Sequence, residues 1–151
     1  MGELARIVDQ LRRGFEGGAW HGPALLEVVG KLSADEASAS PIAGAHSILE
    51  IVLHVTATQD LVIRRLQGDA TPLTPEEDWP VVSDASEAAW QAALQALKDS
   101  HHRLLAALDA RGNGELDEPV LPGHSSLYVT LNGLVQHNLY HAGQIAVLRK
   151  G

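Results

Sequence analysis

The sequence predicts an all-α protein, and three observations support this prediction. Four long segments carry apolar residues at helical spacing, whereas no segment alternates apolar and polar residues as a half-buried strand does. Clusters of glycine and proline separate these segments. The 151 residues contain no internal repeat or low-complexity tract, and 45% of them are apolar. We therefore expect one domain over residues 1–151, in which the helices form a bundle around a single core.

The composition excludes several classes of function. Asp and Glu total 19 and Lys and Arg total 11, so the net charge of −8 disfavours binding to nucleic acid. The chain has no cysteine, which excludes disulfides, thiolate metal ligands and a cysteine nucleophile. No apolar stretch approaches the roughly 18 residues of a membrane-spanning helix, and the first residues lack the layout of a secretory signal. These features predict a cytoplasmic location without a nucleic-acid or membrane partner.

One long helix and two short ones are predicted in the first third of the chain. The segment ELARIVDQLRRGFEGG, residues 3–18, has apolar residues at helical spacing and ends in glycines. In GPALLEVVGKL, Pro23 suits the first turn of a helix. In SADEA, Ser33 and Glu36 have the spacing of a capping box, so a short helical turn is expected there.

A second long helix is predicted over about residues 46–67, in the segment HSILEIVLHVTATQDLVIRRLQ. The following Gly68 suits its C-terminal end. The next segment, DATPLTPEEDWPVV, has three prolines within nine residues and is predicted to be a connector without helix. It is long enough to cross from one end of a bundle to the other.

The last two long helices are predicted over about residues 83–111 and 125–149. Ser83 or Asp84 is the expected N-cap of the first of them, and Arg111 with the glycine after it marks its end. Its expected core residues share one stripe: Trp90, Leu94, Leu97, Leu104, Leu105 and Leu108.

The fourth long helix carries two histidines four residues apart, in the stretch QHNLYHAGQI. At about 100° per residue, His137 and His141 lie about 40° apart, so both imidazoles can reach one metal ion. Their stripe is largely apolar and is expected to face the core, where buried imidazoles need partners. A metal site and ordinary hydrogen bonds to neighbouring backbone or hydroxyl groups both satisfy this requirement.

A metal site needs a third ligand, because catalytic sites typically combine three protein ligands with an open position. His54 is the best candidate, since it lies in the middle of the second long helix at the edge of its apolar stripe. Glu50, one turn earlier, is either a solvated glutamate or a residue that assists the site as a base.

The other histidines fit a metal site less well. His101 and His102 are adjacent on the third long helix, so they point in different directions, and both are expected to meet solvent. His21, His46 and His124 lie in loops or at helix ends, where surface positions are expected; for His46 and His124 a cap or a pocket rim is the alternative.

The aromatic residues have structural and functional interpretations of their own. Tyr140 is either a donor to a bound ligand or a tyrosine at the edge of the core. Trp20, Trp79 and Trp90 are expected to fill core or interface positions. The run PEEDW, residues 75–79, is expected to be a solvated loop.

Two segments resemble the DinB/YfiT-like superfamily of bacterial proteins. One is SPIAGAHSILEIVLHVTATQDLVIRRLQG, in which LHVTATQD matches the part that carries a family histidine. The other is SSLYVTLNGLVQHNLYHAGQIAVLRK, in which QHNLYHAGQI matches the closing His-x-x-x-His helix with Gly-Gln after it. The resemblance runs from about Trp20 to the C-terminus, and the two motifs occur in the family's order and separation.

This resemblance implies a four-helix bundle with a long crossover connection, commonly dimeric, that holds a divalent metal on three histidines. Matched to this sequence, the ligands are His54, His137 and His141. Three imidazoles suit Zn or Ni first, and Fe, Co and Cu are compatible as well. The chain resembles a family in which some members transfer a low-molecular-weight thiol to an electrophile or use the thiol in isomerisation.

Three functions follow as expectations. The first is a metal-dependent enzyme that transfers a small-molecule thiol to an electrophilic substrate, and the chain's lack of cysteine requires the thiol to come from a bound cosubstrate. The second is a metal-dependent hydrolase with Glu50 as the base. The third is a non-catalytic, stress-linked metal-binding protein. A homodimer is expected, and the sequence assigns no catalytic residue, since Glu50 is only the base that the hydrolase alternative would use.

Overall fold

The computed structural model describes residues 1–151, and its regular secondary structure is helical throughout. Seven α-helices and one 3₁₀ turn follow in chain order: α1 (Glu3–Phe15), α2 (Leu25–Val29), α3 (Ala34–Ser38), α4 (Ile48–Leu66), α5 (Pro75–Asp78), α6 (Glu87–Asp109), the 3₁₀ turn (Asn113–Glu115) and α7 (Leu127–Leu148). The prediction of an all-α fold is confirmed. None of the helices combines the length and the apolar character that crossing a bilayer requires.

The four long helices α1, α4, α6 and α7 form the bundle. Helix α4 packs against α6 and α7, and α7 also packs against α1. Val52 of α4 shares a core cluster with Trp90 near the start of α6, whereas Leu66 at the end of α4 shares another with Leu108 at the end of α6. Helices α4 and α6 therefore run in the same direction, and residues 67–86 return along the bundle between them. The predicted long crossover is confirmed.

Serine hydroxyls begin three of the long helices. Ser47, Ser86 and Ser126 each accept a hydrogen bond at 3.2 Å from the backbone N–H three residues on, a contact that stabilises a helix by about 1 kcal/mol. Helix α6 thus begins later than predicted from Ser83 or Asp84. The Asp84 carboxylate instead accepts from the Ser86 N–H at 2.9 Å, which holds the chain in a turn ahead of the helix.

The connector between α4 and α6 contains one helical turn, α5, where no helix was predicted. Thr74 accepts from the Glu77 N–H, the Glu77 carboxylate accepts from the Thr74 N–H, and Pro75 occupies the first turn. These are complete start signals for a helix, and they outweigh the prolines around them. Helix α5 matters because it ends at Asp78, which contacts His54, and is followed by Trp79, which packs against the bundle core.

The core consists of two apolar clusters with a polar layer between them. One cluster includes residues 48–55 of α4 and 90–97 of α6, and the other includes residues 62–66 and 104–108 of the same helices. The positions between them on α4, α6 and α7 hold four of the seven buried polar side chains, namely Gln59, Ser100, His101 and Asn138. The bundle is therefore apolar at both ends and polar at mid-height.

Candidate metal centre

His54, His137 and His141 meet where α4 packs against α7. Their ligand nitrogen atoms all lie within 4.8 Å of one another, and the Nε2 atoms of His54 and His137 are 3.0 Å apart. His54 and His141 are 8% and 5% exposed, and His137 is partly exposed. The folded chain thus brings together the three histidines singled out in the sequence, although they are up to 87 residues apart, between 54 and 141.

Two of the three imidazoles are oriented by hydrogen bonds at Nδ1. His54 Nδ1 lies 2.8 Å from the Asp78 backbone oxygen and 3.0 Å from the Asp78 carboxylate. His141 Nδ1 lies 2.7 Å from the Gln144 side-chain oxygen. Because each of these nitrogen atoms faces only acceptors, Nδ1 carries the proton and the Nε2 lone pair is free to bind a metal.

Aromatic rings enclose the site on two sides. The Trp79 ring lies between His54 and His46, parallel to both, at centroid distances of 3.9 Å and 3.7 Å. Tyr140 packs edge-on against His141 at 5.2 Å, while 66% of the tyrosine stays exposed. Trp79 thereby restricts the orientation of the His54 ring and shields it from water.

Burial keeps the imidazoles of His137 and His141 in the form that binds metals. Burial lowers the pKa of His137 to about 4, and the nearby His141 and His54 lower it further in the same direction. Burial also lowers the pKa of His141, against an opposing effect of its hydrogen bond with Gln144. Both rings are therefore neutral near pH 7, and neutral imidazole is the ligand form.

The three residues fit a divalent metal by donor type and spacing. In a tetrahedral zinc site, nitrogen atoms about 2.05 Å from the ion lie about 3.3 Å from each other, close to the 3.0 Å between two of them here. No other group of three or more His, Asp or Glu residues in the chain could hold a metal ion. The cluster is compatible with metal binding and lacks a fourth protein ligand.

Comparisons with known proteins agree with this geometry. The family model for the DinB superfamily matches residues 19–145, which is most of the chain. The chain belongs to the DinB superfamily. A solved structure described as a conserved protein from Enterococcus faecalis has the same fold as this DinB chain: the TM-score is 0.73 at 19% identity, over 99% of this chain and 96% of the other. A search of curated proteins found no match.

The DinB chain corrects one prediction about its histidines. His101 is completely buried, not solvent-exposed as expected; its ring stacks on Phe15 at 3.8 Å and its Nε2 lies 3.1 Å from the Glu16 carboxylate. The sequence contained the signal, because His101 follows Leu97 by four residues and precedes Leu105 by four, on the predicted apolar stripe. His102 is exposed as predicted.

The Glu50 carboxylate is engaged by Ser47 and His46, which disfavours its use as a base. Its carboxylate accepts from the Ser47 N–H at 2.7 Å in a capping box and lies 3.4 Å from His46 Nδ1. The hydrogen bond from the Ser47 backbone is the main reason why the pKa of Glu50 is lowered. A carboxylate with a lowered pKa that is already hydrogen-bonded is a weak proton acceptor.

Three contacts of the site lie outside the sequence predictions. Asp78 and Trp79 belong to the run PEEDW, and the expectation of a solvated loop is wrong for these two residues, because both contact His54. Gln144 falls near the helical line of His137 and His141 and belongs to the Gly-Gln of the family motif, but the sequence predicts no contact between Gln144 and His141. For α5, the Thr-Pro-x-Glu start signature was available in the sequence; the contact with His54 was not.

The three tryptophans of this DinB chain behave differently from one another. Trp90 is completely buried and donates from Nε1 to the Leu32 oxygen at 2.8 Å, as a core residue should. Trp79 is half-buried against His54. Trp20 is fully exposed, so a core position is wrong for this residue, while the alternative of an interface position stays a prediction.

Two cavities lie beside the histidines. The larger, called here the apolar cavity, has a volume of about 570 Å³ and adjoins the site through His46 and Gln144. Its lining is completed by Ile42, Gly44, Ala45, Ile51, Gly143, Val147 and Leu148. The smaller, called here the polar cavity, has a volume of about 270 Å³ and includes His137 itself. Its other lining residues are Thr58, Leu61, Val62, Arg65, Ser125, Val129, Thr130, Gly133 and Leu134.

Proposed function

We propose that this chain binds one divalent metal ion through His54, His137 and His141 and transfers a low-molecular-weight thiol to an electrophilic small molecule. The observation that carries this proposal is the set of three converging imidazoles without a fourth protein ligand. Closed sets of four ligands are typical of structural zinc sites, whereas three ligands are typical of catalytic ones. When bound, a divalent ion favours the thiolate form of a thiol, which is the nucleophilic form.

The chain's own residues orient the ligands and exclude water. Asp78 and Gln144 fix the His54 and His141 rings through Nδ1, and Trp79 covers the His54 ring. The chain supplies no thiol, since it has no cysteine. In the proposed transfer, the sulfur of the cosubstrate forms a bond to the electrophilic carbon, the leaving group departs with its electron pair, and the thiol proton is released to solvent.

The apolar cavity supports a role for an apolar electrophile. Its volume of about 570 Å³ lies within the range of small-molecule sites. Gln144 joins it to the metal centre, because this side chain lines the cavity and also accepts the hydrogen bond from His141. A substrate bound there would lie next to the histidines.

The hydrolase alternative is less well supported. Activation of water by a metal is usually combined with a nearby general base, and Glu50 is engaged by Ser47 and His46. The Asp78 carboxylate is also engaged, since it accepts from His54 Nδ1. A non-catalytic metal-binding protein remains the third candidate, and the absence of a fourth protein ligand argues against it.

The test is metal analysis followed by turnover. Protein purified without added metal should contain about one divalent ion per chain, with Zn or Ni first and Fe, Co or Cu as the other imidazole-compatible ions. The metal-loaded protein should consume free thiol when mixed with an electrophile panel, and the His137→Ala protein should not. Release of a hydrolysis product without thiol consumption would favour the hydrolase, and metal content without either reaction would favour the third candidate.

We also propose a homodimer and a cytoplasmic location. Support for the dimer comes from the outer face of α7, where Val129, Tyr140 and Val147 are 54%, 66% and 62% exposed. Gly133 and Gly143 lie on the same face, and a Cβ atom added at either would meet nothing within 4 Å. Light scattering that gives the mass of one chain at micromolar concentration would contradict the dimer, and cell fractionation tests the location.

A further inference from the structure

Arg65 is the one arginine of this chain whose side chain has no partner. The other seven each form a salt bridge or donate to a backbone oxygen: Arg6, Arg12, Arg13, Arg64, Arg103, Arg111 and Arg149. The Nε atom of Arg65 is buried and makes no hydrogen bond. Each of these seven guanidinium groups therefore has an acceptor within the chain, whereas the guanidinium of Arg65 has none.

The surroundings of Arg65 point to a ligand. Arg65 lines the polar cavity together with His137, which is a proposed metal ligand. The hydroxyl-bearing residues Thr58, Ser125 and Thr130 also line it, and Arg65 is the only lining residue with a permanent charge. The cavity thus joins the metal centre to a partly buried guanidinium.

The residues that line this cavity extend along α4 and α7. His54, Thr58 and Arg65 follow one another at spacings of four and seven residues, so they lie on one face of α4. The rise from residue 54 to residue 65 is roughly 16 Å, and helical side chains generally lean back towards the N-terminus of their helix, which for Arg65 shortens this gap. A molecule that contacts both ends must be extended and polar at the end far from the metal.

We infer that the polar cavity binds a thiol cosubstrate whose far end carries a carboxylate, and that Arg65 binds this carboxylate. The inference rests on the proposed function, because the thiol end is assigned to the metal centre. A guanidinium binds a carboxylate through two parallel hydrogen bonds. One guanidinium balances the single charge of a carboxylate, whereas a phosphate dianion would remain partly uncompensated in this small cavity. Arg65 is a specificity-determining residue in this proposal and takes no part in the chemistry.

The first experiment compares thiols that differ only at the far end. ω-Mercaptocarboxylates of three to eleven carbons and the matching mercaptoalkanols are titrated anaerobically into zinc-loaded protein by calorimetry. We expect an intermediate chain length to bind best, with the carboxylate favoured over the alcohol roughly 10- to 100-fold. In Arg65→Gln this preference should vanish, and in Arg65→Lys part of it should remain. Arg64→Gln is the matched control, because Arg64 is the neighbouring residue, pairs with Glu77 and does not line the polar cavity.

The second experiment separates this inference from the proposed function. Plain n-alkanoates of the same lengths, which carry no sulfur, are added to metal-free protein, and binding is followed by ligand-observed NMR in the wild type, Arg65→Gln and Arg64→Gln. Alkanoate binding that is lost in Arg65→Gln supports the anion site. This conclusion holds even if no thiol binds the metal-loaded protein, because the failure of thiol binding would count only against thiol transfer. The inference is overturned if the wild type binds mercaptocarboxylates and mercaptoalkanols equally well. It is also overturned if alkanoates do not bind, or if they bind Arg65→Gln as well as the wild type. Melting temperatures check that each variant is folded.

Discussion

His54 and His101 are both buried in the bundle, and both lie flat on an aromatic ring. His54 stacks on Trp79 at 3.9 Å and His101 stacks on Phe15 at 3.8 Å, with interplanar angles of 4° and 6°. Each also contacts one carboxylate, from Asp78 at 3.0 Å and from Glu16 at 3.1 Å. The two environments nevertheless have different consequences.

The difference lies in which nitrogen meets the carboxylate and what the other nitrogen faces. Asp78 contacts Nδ1 of His54, so Nε2 is left to face His137 at 3.0 Å. Glu16 contacts Nε2 of His101, and the remaining Nδ1 is buried without a partner. The Nε2 atom of His54 therefore points towards another imidazole, whereas the His101 ring is an isolated part of the core. Burial, stacking and a nearby carboxylate are common to both histidines, and only His54 also converges with two other imidazoles into a group that could hold a metal ion.

Removing a member of the trio is the largest test of this comparison. His54→Ala should lower the affinity for Zn(II) or Ni(II) by roughly 1,000-fold or more. Even residues that only hydrogen-bond to a metal ligand typically change metal affinity by about 10- to 100-fold when they are replaced. Competition against a chromophoric chelator at pH 7.5 measures this effect.

His102→Ala is the matched control, because His102 is exposed and adjacent to the buried His101. Its metal affinity should equal that of the wild type. A His54→Ala protein that kept wild-type affinity would show that the metal is bound elsewhere, and the three-histidine assignment would be wrong.

Acid should destabilise the protein through His101. Burial lowers the pKa of His101 to about 4, against an opposing effect of Glu16, from about 6.5 in the unfolded chain. The folded state therefore binds fewer protons between these values, so stability is highest above pH 6.5 and falls as the pH drops towards 4. Through this residue alone, the loss is about 3 kcal/mol.

Urea unfolding of metal-free protein at several pH values between 7.5 and 4 measures how the free energy of unfolding changes with pH. His101→Gln should be less stable at pH 7.5 but should lose less stability on acidification, while His102→Gln should follow the wild type. The difference between the His101→Gln and wild-type curves removes the contributions of all other titrating groups. Parallel curves would contradict the assignment of acid sensitivity to His101.

The two carboxylates provide the next test. Asp78→Asn should weaken metal binding by about 10-fold. This is the lower end of the effect expected for a residue that hydrogen-bonds to a metal ligand, because the Asp78 backbone oxygen still accepts from His54 Nδ1 at 2.8 Å. Glu16→Gln changes the carboxylate beside His101 in the same way and should leave metal affinity unchanged. Isothermal titration of both variants with zinc measures the contrast, and equal affinities would show that Asp78 does not support the site.

The sequence predicted the fold because helix formation here depends on local signals. Periodic apolar residues and capping serines lie within the segments that they organise, as with Ser33 and Glu36, which form the predicted capping box. The errors arose where two local signals competed, at Ser86 and in α5. The polar layer was not predicted, since a residue such as Gln59 gains its burial from packing between helices.

The site was predictable in part for the same reason. His137 and His141 share one helix, so their proximity follows from the helical period. His54 was proposed from its position at the edge of the apolar stripe of its helix, and the family resemblance implied the same residue. Asp78 and Trp79 reach His54 only after the crossover folds back over α4, and this contact depends on tertiary structure that no local pattern encodes. For His101 the local pattern was sufficient, but its interpretation was wrong. Adjacent positions on a helix predict that the rings of His101 and His102 point in different directions, and the stripe of leucines indicates which of the two faces the core.

The stacked rings give the smallest and most selective test. Trp79→Leu removes the ring between His54 and His46 but leaves the Asp78 hydrogen bond to His54 in place. An aromatic pair contributes about 0.5–1.5 kcal/mol beyond the burial of its surface, so looser orientation of His54 should weaken zinc binding by roughly 3-fold.

Phe15→Leu makes the corresponding change beneath His101 and should lower the free energy of unfolding without altering zinc affinity. Phe15 is almost completely buried, so this substitution also removes core packing and should cost about 1–3 kcal/mol of stability. The pair of variants therefore separates two uses of the same contact, since one aromatic ring holds a ligand in position and the other fills the core. If both variants changed zinc affinity equally, the stacking on Trp79 would have no specific effect on the metal centre, and the effect would have to come from the general stability of the bundle.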